Sequence, residues 1–378
     1  MRTSIILSRD VLEDDPGLIA LAVEGEDLPD LPDAFEVTTA FIANLKAKYD
    51  DEADQYIDRY GKAHPYDNRQ STANFISGEI PLISQYNEIL WTGEFQVGTP
   101  PQRFQLVFDT GSSDTWVKPR LYSPERSQTA NLMGKPFSVQ YGDRSKASGQ
   151  IYRETVSIGG VMAINQSFGS ANTSTIINRG NEGIAGMGFK SISRFGTEPF
   201  YQTMFDQKSV SSNLFGFGLW AQGARLDLGH FPARYTKSLV YTPVDSSKGY
   251  WLANFQVTGL SQTQTGAIDT GTTLIIGPPE AVRTIFKSLG IKVVEKGGQV
   301  WGTYPIDKVP TLSFTFGGHA FTVGKDALSF TDANGQTTCG LIGADLGVGP
   351  PWIIGGCFLQ DVYAVFDAGN SRVGFAPK

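Results

Sequence analysis

The sequence predicts a mainly β protein made of two similar halves. Forty-three glycines, 24 phenylalanines and 14 tyrosines favour many short strands and tight turns over long helices. Two related stretches, Phe108-Asp-Thr-Gly-Ser-Ser113 and Ile268-Asp-Thr-Gly-Thr-Thr273, lie one in each half. A chain of 378 residues is too long for one hydrophobic core, so two or three folding units are expected.

The first 80 residues differ in charge from the rest. They hold 17 acidic and 7 basic residues, whereas the remainder holds 21 acidic and 24 basic residues. This segment is either a solvated acidic tail or a detachable piece that lies against a mildly basic body. The sequence contains no basic nucleic-acid patch and no apolar run long enough to span a bilayer, so neither nucleic acid nor a membrane is expected as a partner.

Within this segment, residues 3–7 predict a short strand and residues 10–33 an extended acidic stretch. Apolar residues recur at three- and four-residue steps between residues 34 and 60, which predicts helix, and residues 63–79 resemble a linker. The first ten residues have too short an apolar core for a secretory signal. If the natural protein is secreted, its signal is expected to be missing from this chain.

In the first half, residues 91–98 and 104–108 alternate as strands, and the second of these strands delivers Asp109 at its end. A carboxylate is well placed there because the strand fixes the backbone while the turn exposes the side chain. Residues 137–143 and 149–152 predict a hairpin with a polar tip, suited to a mobile cover. Residues 183–189 form an apolar, glycine-rich strand.

The second half repeats this plan. Residues 266–268 deliver Asp269, residues 278–289 predict a helix that begins with prolines, and residues 351–358 match residues 183–189. Gly186 follows Asp109 by 77 residues and Gly355 follows Asp269 by 86. Two matching turns, each followed by a matching strand at similar spacing, indicate an internal duplication.

Two carboxylates held close together cannot both ionise cheaply, so one pKa falls and the other rises. The ionised member can then activate a water as general base, while the neutral member donates a proton to a substrate carbonyl. Gly111 allows the tight turn. Ser112 and Thr272 offer hydroxyls that can orient the outer carboxylate oxygens. This chemistry needs no metal, no cofactor and no covalent intermediate.

Serine and metal-dependent hydrolases are poorly supported. The three histidines, His64, His230 and His319, are isolated, and neither a metalloprotease HExxH motif nor a nucleophile elbow occurs.

The sequence resembles the pepsin family of aspartic endopeptidases over nearly all of residues 81–378. Residues 108–117 resemble the family's first active-site motif and residues 268–273 its second. Tyr141-Gly142, which Asp143 follows, resembles the family's flap. Trp116 resembles the tryptophan that supports the flap tyrosine. Residues 248–251 and 362–376 also fit the second lobe. Within the family, the sequence most resembles a fungal secreted or vacuolar member.

The resemblance implies a bilobal double β-barrel with pseudo-twofold symmetry and a central cleft. Residues 1–80 would be an inhibitory prosegment, 81–220 the N-terminal lobe and 221–378 the C-terminal lobe. The chain would be a monomeric acid endopeptidase zymogen that autoactivates at low pH, cleaves between mainly hydrophobic residues of protein substrates and binds pepstatin-type inhibitors. Its compartment would be extracellular or vacuolar. A catalytically silent binding or inhibitor protein is the alternative.

The resemblance also assigns roles residue by residue. The expected catalytic pair is Asp109 and Asp269, and the neighbours that orient it are Thr110, Gly111, Ser112, Thr270, Gly271 and Thr272. The expected flap and substrate-binding residues are Trp116, Tyr141, Gly142, Asp143, Ile184 and Leu274, with Asp143 able to tolerate a basic substrate side chain. In the prosegment, Arg59-Tyr60 is the candidate cation-tyrosine element that neutralises the pair, with Lys48-Tyr49 and Lys62 as alternatives.

Some features depart from the family pattern. The interval from Trp116 to Tyr141 is short, and Gly356 stands where the family usually has an aspartate. Trp301 lies near the position where the family has the cysteine that pairs with Cys357. Cys357 is therefore expected either to form a relocated disulfide with Cys339 or to remain, like Cys339, a free buried thiol. Asn165 and Asn172 begin sequons and are candidate glycosylation sites.

Overall fold

Strands are the predominant regular element of the structure, as the composition predicts. The computed structural model describes residues 77–378, except 86–89, 142–144, 177–179, 332–335 and 348. The strands of the first half are β1 (Gly78–Pro81), β2 (Ile83–Gln85), β3 (Leu90–Val97), β4 (Gln102–Asp109), β5 (Thr115–Val117), β6 (Asn131–Gln140), β7 (Lys146–Ile158), β8 (Val161–Ser174), β9 (Gly183–Gly186) and β10 (Leu214–Gly218).

The strands of the second half are β11 (Arg225–Leu228), β12 (Val240–Asp245), β13 (Leu252–Val257), β14 (Gln264–Ile268), β15 (Ile275–Gly277), β16 (Lys292–Lys296), β17 (Gln299–Pro305), β18 (Ser313–Phe316), β19 (His319–Thr322), β20 (Ser329–Thr331), β21 (Gln336–Cys339), β22 (Leu341–Gly343), β23 (Ile353–Ile354), β24 (Val362–Asp367) and β25 (Arg372–Pro377).

Helices are short in the described residues. They are α1 (Phe200–Asp206), α2 (Pro279–Leu289), α3 (Lys325–Leu328) and α4 (Gly356–Leu359), with 3-10 turns at Pro124–Arg126, Lys190–Ile192, Ala233–Tyr235, Ile306–Lys308 and Ala368–Asn370. Helix α2 confirms the prediction for residues 278–289. It begins at a proline in its first turn and ends at Gly290, whose φ of 69° places it in the left-handed region.

The strands pair into a sheet for each half and one that joins them. The first-half sheet has the order β2-β3-β4-β9-β5-β8-β7-β6. The second-half strands pair around β14, β23, β15 and β22. A six-stranded antiparallel sheet runs in the order β1-β11-β10-β24-β25-β12, so strands from both halves share one sheet. This architecture confirms the predicted two-lobed, mainly β fold.

The strand register explains the repeated spacing in the sequence. Strand β4 pairs in parallel with β9, which puts Asp109 opposite Gly186. Strand β14 pairs in parallel with β23, and the peptide N–H of Asp269 donates to Ile354 O at 3.0 Å, immediately before Gly355. The predicted duplication is therefore a repeated parallel strand pair, and each pair ends at an Asp-Thr-Gly turn.

The predicted boundary at residue 80 falls inside β1. Glu79 in that strand forms an ion pair with Arg225 at 2.8 Å, and Arg225 also bonds the fully buried Asp227 through its Nε at 2.9 Å. The Tyr363 hydroxyl donates to Asp227 at 2.5 Å. Since buried charges are costly unless paired, this network fixes β1 against β11. The folded body therefore includes residues from Gly78 onward.

Glu79, Asp227 and His230 bring three potential ligand atoms within 4.8 Å of one another. The guanidinium of Arg225 already bonds the carboxylates of Glu79 and Asp227, so we interpret this cluster as an ion-pair network and not as a metal site.

Aromatic side chains fill the core where the halves meet. Phe215 packs against Trp251 and Phe366, with ring centroids 5.5 and 5.1 Å away. The indole N–H of Trp251 donates to Met187 O at 2.9 Å, so a second-half residue bonds the backbone of the first half. Within the described ranges, no helix combines the length and apolar character needed to cross a membrane.

The expected disulfide is not formed in the structure. Cys339 and Cys357 are free, buried thiols, which is the alternative that the sequence left open. Burial raises the pKa of Cys339 to about 12 and also raises that of Cys357, so both behave as small apolar side chains. Trp301, near the expected position of a partner cysteine, packs against the main core instead.

Candidate active site

The two Asp-Thr-Gly turns meet at the centre of the molecule. Asp109 is the last residue of β4, and Asp269 follows β14 directly. Their side chains are nearly buried, with 7% and 8% of their surfaces exposed. The carboxyl groups lie within hydrogen-bonding distance of each other. The structure thus brings together two carboxylates that are 160 residues apart in the sequence.

A reciprocal set of hydrogen bonds holds the two turns together. The peptide N–H of Thr110 donates to Thr270 Oγ1 at 3.1 Å, and that of Thr270 donates to Thr110 Oγ1 at 3.0 Å. Each hydroxyl also donates across the interface, Thr110 to Ile268 O at 2.8 Å and Thr270 to Phe108 O at 2.6 Å. We name these four hydrogen bonds the threonine bridge.

Each carboxylate receives the same two donors from its own turn. Gly111 N–H donates to Asp109 Oδ1 and Gly271 N–H donates to Asp269 Oδ1, both at 2.8 Å. The Ser112 hydroxyl donates to Asp109 Oδ2 at 2.5 Å, and the Thr272 hydroxyl donates to Asp269 Oδ2 at 2.7 Å. The donors fix the orientation of both carboxylates with nearly twofold symmetry.

The glycines of the turns leave room for the opposite carboxylate. A Cβ atom on Gly111 would lie 2.6 Å from Asp269 Oδ2, and one on Gly271 would lie 2.4 Å from Asp109 Oδ1. Both distances are far below a normal van der Waals contact. Glycine is therefore required at these positions because the carboxylates occupy the space that a side chain would fill.

Burial makes this pair electrostatically unusual. Loss of solvation raises the pKa of Asp109 well above its ordinary value, and the neighbouring charge of Asp269 raises it further. The donors Ser112 and Gly111 act in the opposite direction, because they stabilise the ionised form. The pair consequently retains one proton at a pH where isolated aspartates have lost theirs, and this proton belongs to the pair as a unit.

A hairpin of β6 and β7 brings an aromatic pair beside the site. Tyr141 follows β6, and its peptide N–H donates to Ser145 O at 2.9 Å. The indole N–H of Trp116 donates to the Tyr141 hydroxyl at 2.7 Å. We call β6, β7 and the residues between them the flap hairpin. Gly142 and Asp143, its predicted tip, lie outside the described residues.

The remaining residues predicted from the sequence differ in burial and in location. Ile184 is half-buried and packs with Trp116 and Tyr141, whereas Leu274 is buried in the main core. Asn165 and Asn172 are exposed on β8. The predicted inhibitory residues Lys48, Tyr49, Arg59, Tyr60 and Lys62 lie outside the described residues.

Gly356 ties α4 to the second turn. Its peptide N–H donates to Thr272 O at 2.7 Å, and that of Cys357 donates to Thr273 O at 2.8 Å. In the first half, Gly188 N–H donates to Ser112 O at 2.6 Å. The backbone support of the two turns is therefore similar, although glycine replaces the aspartate expected at residue 356.

Two residues that support or adjoin the carboxylate pair, Asp114 and Tyr250, were not predicted as site residues from the sequence. Asp114 is buried and accepts hydrogen bonds from Ser193 Oγ at 2.6 Å and from the peptide N–H groups of Arg194 at 2.7 Å and Phe195 at 3.2 Å. It thereby ties the first turn to residues 193–195. Its place in the motif, five residues after Asp109, was the only available signal.

Tyr250 is the second missed contributor. Burial raises the pKa of its half-buried hydroxyl, and the charges of Asp269 and Asp109 raise it further. Tyr250 is therefore close enough to the carboxylate pair to respond to it electrostatically.

Comparisons with known proteins place residues 90–378 in one group. A profile of the family described as Eukaryotic aspartyl protease matches residues 90–378. The chain is 33% identical over 346 residues to Secreted aspartyl protease 1 of Malassezia globosa, covering 88% of this chain and 85% of that protein. It is 34% identical over 327 residues to Cathepsin E-B of Xenopus laevis, covering 79% of this chain and 81% of that protein.

A solved structure shares the fold. The aspartic proteinase from Irpex lacteus matches with a TM-score of 0.69 and 25% identity, covering 80% of this chain and 97% of that chain.

The close approach of Gly111 to Asp269 leads to a stability prediction. Gly111→Ala is expected to lower the free energy of unfolding by about 2 kcal/mol or more, because the new methyl group must displace a buried carboxylate that is held by hydrogen bonds. Urea denaturation at neutral pH measures the change.

Gly369→Ala is the matched control, since its Cβ would meet its nearest neighbour at an ordinary 3.6 Å. Equal stability of the two variants would show that the turns can separate without cost.

Proposed function

Because the chain belongs to the family of eukaryotic aspartyl proteases, we propose that its endopeptidase activity uses a water molecule activated by Asp109 and Asp269. The observation that carries this assignment is the buried carboxylate pair, in which each member is oriented by two donors of its own turn. Proteins and peptides are its substrates.

The reaction follows from the shared proton. The ionised carboxylate takes a proton from the bound water as the water oxygen attacks the scissile carbonyl carbon. The protonated carboxyl donates its proton to the carbonyl oxygen, so the tetrahedral intermediate forms without a separated oxyanion charge. As that intermediate collapses, the carboxyl that took the water proton gives it to the leaving nitrogen, the C–N bond breaks, and the other carboxylate recovers its proton from the former carbonyl oxygen. No covalent bond to the enzyme forms.

The geometry of the carboxylates supports this division of labour. Ser112 and Thr272 each hold one oxygen of a carboxylate. The other oxygen of each carboxylate accepts one hydrogen bond from a glycine N–H, so a lone pair remains for water and substrate. The low exposure of both side chains limits solvent screening, so their charges act strongly on the reacting atoms.

We assign the flap hairpin to covering the bound peptide. The hydrogen bond from Trp116 fixes the Tyr141 hydroxyl, and Ile184 adds an apolar surface beside this pair. Closure over the substrate would exclude water from the reacting groups. An apolar wall at this position supports a preference for hydrophobic residues next to the scissile bond. Asp143 stays a candidate for contact with a basic substrate side chain.

We assign residues 1–80 to an inhibitory prosegment, and Arg59-Tyr60, Lys48-Tyr49 and Lys62 remain the candidates for the group that neutralises the pair. The support is the charge contrast between this acidic segment and the mildly basic remainder. Protonation of the segment's carboxylates at low pH would weaken its ion pairs with the body. The relatives named as a secreted protease and a cathepsin support an extracellular or vacuolar location.

The central test is a peptidase assay on the acid-treated chain between pH 2 and pH 9. We expect activity that pepstatin inhibits, with a bell-shaped pH profile. Activity falls at low pH as the ionised carboxylate gains a proton. It also falls as pH rises through the raised pKa of the pair, because the proton needed by the carbonyl is then lost.

Asp269→Asn is the control and is expected to lower kcat by at least about a thousandfold, since it removes one acid-base group completely. A wild-type chain that binds pepstatin but cleaves no peptide in this pH range would contradict the proposal.

Activation gives a second prediction. On acidification the chain is expected to cleave itself just before Gly78, because cleavage beyond that residue would remove β1 and its ion pair with Arg225. Mass spectrometry of the acid-treated chain locates the new N-terminus, and the inactive Asp269→Asn chain serves as the control. A fully active chain that still carries residues 1–77 would rule out an inhibitory role for this segment.

A further inference from the structure

We propose that Arg194, together with Tyr250, forms a subsite beside the two catalytic carboxylates that accepts an acidic side chain of the peptide substrate. This inference rests on the proposed peptidase function and deepens it by naming a substrate preference. Four observations support it: the anchoring of Arg194, its packing against the second half, its charge and its relation to Tyr250.

The first observation is the rigid anchoring of the backbone at Arg194. We call residues 189–195 the arginine turn. The buried carboxylate of Asp114 accepts three hydrogen bonds from this turn, one of them from the peptide N–H of Arg194 at 2.7 Å. Asp114 lies in the same loop as Asp109 and Ser112. The backbone of Arg194 is therefore fixed relative to the catalytic turn.

The second observation is that the arginine turn packs between the flap hairpin and the segment that carries Tyr250. Phe195 makes an edge contact with Phe137 of the flap hairpin, with ring centroids 5.2 Å apart. At the other end, Phe189 N–H donates to Gly249 O at 3.1 Å. A Cβ atom on Gly249 would lie only 2.3 Å from the Ile192 side chain, which shows how closely the segments approach.

The third observation concerns charge. Arg194 is exposed, and among the described residues no carboxylate lies within 4.0 Å of its guanidinium. By contrast, Arg225, Arg283 and Arg372 each form an ion pair with a carboxylate. The charge of Arg194 acts on Asp114, but its exposed guanidinium forms no ion pair with a described carboxylate and can therefore bind a ligand.

The fourth observation links this cation to the catalytic pair through Tyr250. The positive charge of Arg194 lowers the pKa of the Tyr250 hydroxyl, whereas burial and the charges of Asp269 and Asp109 raise it. The hydroxyl therefore lies within electrostatic reach of both the cation and the carboxylate pair. The peptide N–H of Ile268 donates to Trp251 O at 3.0 Å, so the residue that precedes Asp269 is bonded to the residue that follows Tyr250.

An acidic substrate side chain fits this environment. A carboxylate near the negatively charged catalytic pair would be repelled unless a cation offset that charge. The guanidinium of Arg194 can bind a carboxylate with two parallel hydrogen bonds, and the Tyr250 hydroxyl can donate a third. A neutral amide of the same shape would gain less from this site.

The test compares matched peptides cleaved by the acid-treated full chain. Each pair carries Glu or Gln at one position, and the position is moved along both sides of the scissile bond. At one position we expect the Glu peptide to have a kcat/KM about three- to fivefold higher than the Gln peptide at pH 5. The ratio should fall toward one at pH 3, where the substrate carboxyl is mostly protonated.

Variants of Arg194 then identify the cause. Arg194→Gln should reduce the ratio to about one at pH 5, Arg194→Lys should retain part of it, and Arg194→Glu should favour Lys over Gln at the same position. The Glu/Gln ratio is the readout in all three variants, and kcat/KM of a matched neutral peptide, measured in parallel, separates a change in specificity from a general loss of activity.

Arg234→Gln is the matched control, because Arg234 is also an exposed arginine beside a tyrosine ring, 4.9 Å from the centroid of Tyr235, but belongs to a different cluster. This variant should keep the wild-type ratio. Absence of a Glu preference at every position, or the same preference in Arg194→Gln as in the wild type, would overturn the inference while peptidase activity stands. Failure of the wild type to cleave any peptide would instead overturn the proposed function, and this inference with it.

Discussion

The threonine bridge is the interaction on which the site depends. Each Asp-Thr-Gly turn ends a strand pair of its own half, and neither half alone determines where the opposite carboxylate lies. Thr110 and Thr270 each donate across the interface through the peptide N–H and the hydroxyl, and each accepts at the hydroxyl oxygen. Because these groups are buried, a broken bond would leave a polar group unsatisfied, which costs more than the bond itself contributes. The distance between the carboxylates is therefore set by four hydrogen bonds that form only together.

This fixed distance creates the electrostatic conflict that the reaction uses. Two buried carboxylates repel each other and lose solvation, so one proton stays on the pair. The donors Gly111, Ser112, Gly271 and Thr272 stabilise the charge that remains. The aromatic contacts at Trp251 and the strands shared between the halves supply packing that offsets the cost of this arrangement. The carboxylate pair is thus a locally unfavourable feature held by a large apolar core.

Much of the fold could be predicted because it depends on patterns among residues that are close in the sequence. The offset between each aspartate and its following glycine strand became the register of the parallel pairs β4–β9 and β14–β23, and the helix at residues 279–289 carries its proline and glycine signals. The threonine bridge could not be predicted from the residues alone, because its partners are 160 residues apart and meet only after both halves fold. Asp114 was missed for the same reason, since its partners lie about 80 residues away. The predicted boundary at residue 80 lies within β1, a four-residue strand held by Glu79 that has no distinctive sequence signal.

A double-mutant cycle tests the threonine bridge most directly. Thr110→Val and Thr270→Val each remove one hydroxyl at nearly constant volume, with Thr110→Ser and Thr270→Ser as controls that keep it. Urea denaturation at neutral pH gives the four free energies of unfolding. If the bridge is one cooperative unit, either single substitution removes most of the free energy that the bridge contributes. The double variant is then about 1–3 kcal/mol more stable than the sum of the two single losses predicts. Losses that add within about 0.5 kcal/mol would contradict the claim that the two turns depend on each other.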